Sequence, residues 1–276
     1  MASFHPMLLL MACTLVSCSG ADYQIEANIR YAHYGETLLD ILQPRHPAMK
    51  DRIGVLVIHG GGWIAGSKEE ALPFCVPFVE QDFVVADVEY RLAGAAPAPA
   101  ALQDVLAAAK WFHDHASDYR VDTKRIIAVG DSAGGELALM AAMLPAENEF
   151  GSVTKIAAVI DFYGVADVRA LLEGPSKRDF TVQWVGTGLD AGDLAKKLSP
   201  LTYVRKDVPP VLAIHGDADQ VVPYGQSEQL VAALKQAGVK AELITVAGAG
   251  HGFSNQRAAE IWPRVFQWLK KIKVNR

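Results

Sequence analysis

The segment Gly130-Asp131-Ser132-Ala133-Gly134 constrains this chain more than any other part of it. It follows the apolar run Ile126-Ile127-Ala128-Val129 and precedes the helix-favouring stretch Glu136-Leu137-Ala138-Leu139-Met140-Ala141-Ala142. A serine at a strand-to-helix junction sits on a sharp turn that the flanking glycines permit, and the following helix points its N-terminus at the same spot. Ser132 is therefore a candidate nucleophile. The rest of the chain has to supply a base and a group that stabilises developing negative charge.

Residues 53–58, 83–88, 126–129, 156–162, 211–214 and 241–246 are continuous apolar runs, the pattern of strands buried on both faces of a parallel sheet. Helical stretches alternate with them at 99–115, 136–144, 226–237 and 257–271. That order predicts an α/β fold with a mostly parallel central sheet and helices on both faces. Residues 24–34 and 37–42, turned at Gly35, read as an antiparallel hairpin in front of it. The chain has 276 residues, 51% of them hydrophobic, enough for one large core, so residues 21–276 are expected to form one domain. Residues 167–206 have no clear place in the sheet and read as an insertion at the mouth of the site, in the position of a small lid.

Residues 1–20 differ from the body. The run from Met7 to Val16 is apolar and too short to span a bilayer, and it leads into Ser17-Cys18-Ser19-Gly20, which reads as an export signal. Leu15-Val16-Ser17-Cys18 resembles a bacterial lipobox. Cleavage there would leave Cys18 as the lipidated first residue of a periplasm-facing lipoprotein, and cleavage elsewhere a periplasmic or secreted chain. The n-region lacks Lys and Arg, a departure from the usual signal pattern. Of the three cysteines only Cys75 lies outside this segment, and its apolar neighbours Leu72, Phe74 and Val76 suit a buried, inert thiol. A net charge of −5 without any basic patch excludes nucleic acid as a partner, and no Cys or His spacing suits a metal.

Three further strand ends carry chemistry-bearing residues. The run 53–58 leads into His59-Gly60-Gly61-Gly62-Trp63, where backbone amides without obstructing side chains suit an oxyanion; its coexistence with the serine turn favours that over a plain glycine turn. The run 211–214 leads into His215-Gly216-Asp217-Ala218-Asp219, where either aspartate is available to orient a histidine. Asp217, beside Gly216, suits a turn-organising role, which leaves Asp219 for the chemistry. The last strand leads into Ala247-Gly248-Ala249-Gly250-His251-Gly252-Phe253, and His251 is the natural base. The chain order Ser132, Asp219, His251 is that of α/β hydrolases.

Together with Glu89-Tyr90-Arg91-Leu92, these motifs make the chain resemble the hormone-sensitive-lipase-type carboxylesterases over roughly residues 25–274, nearly the whole expected mature chain, and within them the compact bacterial feruloyl and acetyl-xylan esterase-like branch. The resemblance implies an α/β-hydrolase fold with a minimal cap and an open pocket. It implies Ser132 as nucleophile, His251 as base, Asp219 as its orienter, and the amides of Gly61, Gly62 and Ala133 as the oxyanion hole. The substrate would be a small-molecule or carbohydrate ester, and the chemistry requires no metal or organic cofactor. An arylformamidase-type amide hydrolase and a non-catalytic hydrolase-like binding protein are the alternatives. Trp63, Tyr163, Trp184 and Phe253 are candidate pocket residues, Trp184 foremost. Glu136 stands where many relatives have His or Asn: either a carboxylate favoured by the helix dipole, or a group that steers or excludes anionic substrates. His59 and His215 are read as supports of their turns.

Overall fold

A computed structural model describes residues 22–274 and the backbone of residues 15 and 16. The remainder of the expected export segment, with Cys18, lies outside the described residues. The strands are β1 (Leu15–Val16), β2 (Tyr23–Arg30), β3 (Leu38–Pro44), β4 (Arg52–Ile58), β5 (Val84–Val88), β6 (Val121–Asp131), β7 (Val159–Phe162), β8 (Val211–Gly216) and β9 (Ala241–Val246). Among the described residues they form one nine-stranded sheet, ordered β1-β2-β3-β5-β4-β6-β7-β8-β9. Pairing is antiparallel from β1 to β5 along that order and parallel from β5 to β9. The hairpin turn is longer than the sequence suggests: β2 ends at Arg30, and backbone bonds from Tyr31 to Thr37 and from Thr37 to Tyr34 occupy the connection.

The helices are α1 (Lys68–Val79), α2 (Ala100–Asp114), α3 (Ala133–Met143), α4 (Val168–Leu172), α5 (Asp179–Val185), α6 (Ala191–Lys197), α7 (Gly225–Gln236) and α8 (Asn255–Lys271). Strand residues alternate between two cores. Leu56, Ile58, Ala128, Val159 and Ala213 face α2, α3 and α7, while Val55, Val57, Val129, Ile160 and Leu212 face α1 and α8. Each fully buried aliphatic side chain contributes on the order of 1.5–3 kcal/mol, so this two-sided burial is what makes the strands read as unbroken apolar runs.

Helix α1 is absent from the sequence expectations because Pro73 and Pro77 fall inside it and read as breakers. Packing overrides the missing N–H groups: Ala71, Cys75, Phe78 and Val79, at helical spacing, are buried in the core shared with α8. Residues 167–206 fold as α4, α5 and α6 with two 3-10 turns, and α4 packs against both α5 and α6.

Helix α3 approaches β4 backbone to backbone. A Cβ on Gly134 would lie 2.1 Å from the Ile58 carbonyl oxygen and 2.5 Å from that of His59. Gly134→Ala therefore has to push the helix off the sheet, and a loss of about 1–3 kcal/mol, read as a lower urea midpoint with an unchanged slope, is the expected result.

Candidate active site

The C-terminal ends of β4, β6, β7, β8 and β9 lie side by side, and each delivers one part of the site. Ser132 follows β6 with φ 53° and ψ −118°, a left-handed backbone that the close approach of α3 imposes. Its amide donates to the Phe162 carbonyl at the end of β7 (2.8 Å), which fixes the turn against the neighbouring strand. Ser132 Oγ lies 2.8 Å from His251 Nε2, and His251 Nδ1 lies 2.7 Å from Asp219 Oδ2. Because Asp219 accepts, Nδ1 of His251 carries the proton and Nε2 is free to accept the serine hydroxyl.

Asp219 is buried and richly bonded. Oδ1 accepts from the amides of Val221 (2.8 Å) and Val222 (3.0 Å), and Oδ2 from His215 Nε2 (3.1 Å) as well as from His251. Burial alone would raise its pKa, but the bonds from His215 and His251 and the nearby imidazole outweigh it and hold the carboxyl well below the usual range. His215 Nε2 also faces the Val222 carbonyl, so that nitrogen is the donor, and its Nδ1 is 2.7 Å from Ser227 Oγ. Asp217 accepts from the Gly248 amide (2.6 Å), joining the β8 loop to the loop that carries His251.

Hydrogen bonds fix the Gly60–Trp63 loop through the carbonyls of Gly60, Gly61 and Trp63. Tyr90 O–H donates to the carbonyls of His59 (3.1 Å) and Gly60 (3.3 Å), the amides of Ile64 and Ala65 to Gly61, and the amide of Ala93 to Trp63. His59 holds the loop by stacking on Tyr90 (4.1 Å between ring centres) and donating from Nδ1 to the Gly60 carbonyl (2.8 Å). Gly61, Gly62 and Trp63 all have positive φ, at 106°, 61° and 61°. Among the described residues the amides of Gly61, Gly62 and Ala133 donate to no protein acceptor, which leaves them available to an oxyanion beside Ser132.

A cavity of about 400 Å³ opens at Ser132, lined by Gly61, Gly62, Ile64, Ala65, Asp131, Tyr163, Phe180, Val221 and His251. Of the expected pocket residues it contains Tyr163, whose ring meets the His251 imidazole edge-on at 4.7 Å. Phe253 packs behind Tyr163 (5.2 Å) and is not part of the lining. Trp63 and Trp184 are corrections: both are fully buried and stack on each other at 4.1 Å and 6°, so neither reaches substrate. Glu136 is another, being completely buried and accepting from the Trp63 indole N–H at 3.0 Å. Burial pushes its carboxyl well above the usual range, so it is neither a dipole-stabilised anion nor a surface charge for substrates. Ile64, Ala65, Asp131, Phe180 and Val221 were missed; Phe180 stands one helical turn before Trp184 on α5, inside the segment to which the sequence reading assigns no element, so nothing there showed which residue fronts the cavity.

Comparison with known proteins finds esterases in both sequence and fold. The BD-FAE family matches residues 39–234, and a TAP-like protein family matches residues 193–276. Esterase LipQ of Mycobacterium tuberculosis is 33% identical over 215 residues, which is 74% of this chain and 51% of LipQ. The chain thus spans about half the length of that curated relative. Among solved structures, a truncated carbohydrate esterase from gut microbiota is 27% identical with a TM-score of 0.71, covering 88% of this chain and 95% of that one. The butyrate-bound esterase Est2 of Thermogutta terrifontis is 25% identical with a TM-score of 0.76, covering 90% and 94%.

Two further carboxyls belong to this region, Asp131 in the cavity lining and Asp161 fully buried at the end of β7. Burial raises Asp131, which accepts from the Gly60 amide (2.9 Å), to about 6. Burial likewise raises Asp161, which accepts from the Gly164 amide (3.0 Å), to about 7. A group whose folded pKa exceeds its unfolded value keeps its proton in the folded state while the unfolded chain releases it, so stability falls as pH rises between the two values. For Asp161, from an ordinary 3.8 to about 7, the loss is on the order of 4 kcal/mol across that window. Asp161→Asn is expected to flatten the decline in urea midpoint between pH 4 and pH 7, and an unchanged slope contradicts this origin.

Proposed function

The chain belongs to the BD-FAE family, and from that premise we propose that it is a serine carboxylesterase acting on short-chain acyl or carbohydrate-linked esters, acetyl and feruloyl esters among them, through an acyl-enzyme. The observation that carries this reading is the pair of bonds from Ser132 to His251 (2.8 Å) and from His251 to Asp219 (2.7 Å), set beside three uncommitted amides. The names of LipQ, Est2 and the gut carbohydrate esterase support it.

The chemistry runs in two halves. His251 Nε2 takes the Ser132 proton as Oγ bonds to the ester carbonyl carbon, and the carbonyl oxygen becomes an oxyanion held by the amides of Gly61, Gly62 and Ala133. The resulting imidazolium faces the ionised Asp219. It returns the proton to the alcohol oxygen as the C–O bond breaks, leaving an acyl-serine. Water then gives its proton to His251 and attacks the acyl carbon, and proton return to Oγ releases the acid. Ile64, Ala65, Phe180 and Val221 give the cavity apolar walls, which suit an uncharged acyl group, and Asp131 disfavours an anionic one.

Ser132→Ala is expected to lower kcat on p-nitrophenyl acetate by at least about 10⁴-fold with folding intact, and a phosphonate should label Ser132 in the unmodified enzyme. A panel of p-nitrophenyl esters, methyl ferulate, acetylated xylan and N-formylkynurenine tests the substrate class. Preference for the formamide would favour amide hydrolysis, and absence of both labelling and turnover would favour a binding role. The apolar run before Cys18 supports an exported enzyme tethered through that residue. Intact mass of the membrane fraction should show a chain beginning at an acylated Cys18; an unmodified Cys18 overturns the tether.

A further inference from the structure

Glu136 takes no part in the steps above, yet it lies on the first turn of α3, four residues after the nucleophile. Its side chain is fully buried, Oε2 accepts from Trp63 Nε1 at 3.0 Å, and Oε1 has no partner among the described residues. Burying a carboxyl that deeply for a single bond is costly, and an apolar residue would fill the space without that penalty.

Trp63 explains what the bond accomplishes. It adopts φ +61°, a backbone that costs a bulky residue on the order of 1–3 kcal/mol and persists only where its surroundings over-determine it. Its polar and ring contacts among the described residues are the Ala93 amide on its carbonyl (2.8 Å), the stack on Trp184, the tilted contact with Phe180 (6.0 Å) and the Glu136 bond. The Glu136 bond is the one of these that reaches α3. That helix also begins with Ala133, whose amide is one half of the proposed oxyanion hole, while Gly61 and Gly62, directly before Trp63, are the other half.

We infer that Glu136 is a positioning residue of the oxyanion hole: its hydrogen bond to the Trp63 indole locks the Gly61–Gly62 half of the hole to the helix that carries the Ala133 half. This rests on the esterase reading for its rate consequence, though not for its structural one. Glutamine presents the same acceptor oxygen in an isosteric neutral amide, so Glu136→Gln should retain the lock, whereas Glu136→Leu and Glu136→Met leave the indole N–H unpaired.

The experiment compares these three variants and Trp63→Phe. With p-nitrophenyl acetate, Glu136→Leu is expected to lose roughly 10- to 100-fold in kcat with KM within about twofold, because the hole acts on the transition state rather than on the bound ester. Glu136→Gln should stay within about threefold of the unmodified enzyme, and Glu136→Leu should add little to Trp63→Phe, as expected of two residues acting through one bond. Independently of turnover, the amide resonances of Gly61 and Gly62 should shift in Glu136→Leu and stay near their original positions in Glu136→Gln. Glu136→Met is carried in parallel should the leucine variant fail to fold. Unmoved glycine amides in the apolar variants, or equal kcat losses in the glutamine and apolar variants, overturn the inference. Should the unmodified protein hydrolyse no ester, the esterase reading falls by itself and the resonances still decide whether Glu136 positions the loop.

Discussion

The start of helix α3 meets the end of β4 backbone to backbone, and the site is built on that contact. A Cβ on Gly130 would lie 2.1 Å from the Gly134 carbonyl oxygen, one on Gly134 2.1 Å from that of Ile58, and one on Gly135 2.3 Å from Asp161 Oδ1. The first presses the turn onto its own helix, the second the helix onto β4, and the third the helix onto the β7 end. With the helix start brought this close, the chain cannot pass from β6 to α3 in an ordinary conformation, and Ser132 takes the left-handed one. The same closeness sets the first amide of α3 beside the Gly60–Trp63 loop. The glycines are a steric condition for the nucleophile rather than a flexible hinge.

The carboxyls around this contact illustrate how hydrogen-bond partners offset the desolvation of a buried carboxyl. Asp219, Asp161 and Glu136 are all buried, and desolvation pushes each upward. Asp219 accepts from two amides and two imidazoles and ends well below the usual range. Asp161 accepts from one amide and Glu136 from one indole, and both end above it. Negative charge is thereby concentrated opposite His251, where it would stabilise the imidazolium of the proposed reaction, and withheld at Glu136, where an anion would work against that reaction's oxyanion a few residues away.

The parts legible in the sequence are those that local chemistry determines. Runs of β-branched residues mark strands buried on both faces, and the residues that follow β4, β6, β8 and β9 stand out because glycines crowd them. Helix α1 was hidden because Pro73 and Pro77 speak locally against it, while the core that overrules them is assembled from α8, nearly two hundred residues later. Trp63 and Trp184 fail as pocket residues for a related reason. Each is an aromatic in a suitable place, but the two stack on each other across 121 positions, a pairing that no local pattern records. Glu136 looks like an ordinary first-turn acid until Trp63 is seen above it.

That stack also joins residues 167–206 to the loop that would hold the oxyanion. The segment is fastened to the site at further points. The Arg178 guanidinium donates to the carbonyls of Gln220 (2.9 Å) and Val221 (2.8 Å), fastening this segment to the loop whose amides hold Asp219. Phe180 walls the cavity and packs on the oxyanion loop so closely that a Cβ on Gly62 would lie 3.0 Å from its own. Gly62 is needed there for its left-handed φ and again for this contact. In the proposed reaction the wall that faces the acyl group is therefore also a support of the amides that would receive the oxyanion. A change at Phe180 that enlarged the cavity would remove packing from Gly62, so under that proposal size selectivity and transition-state stabilisation are set by the same contact and do not vary independently.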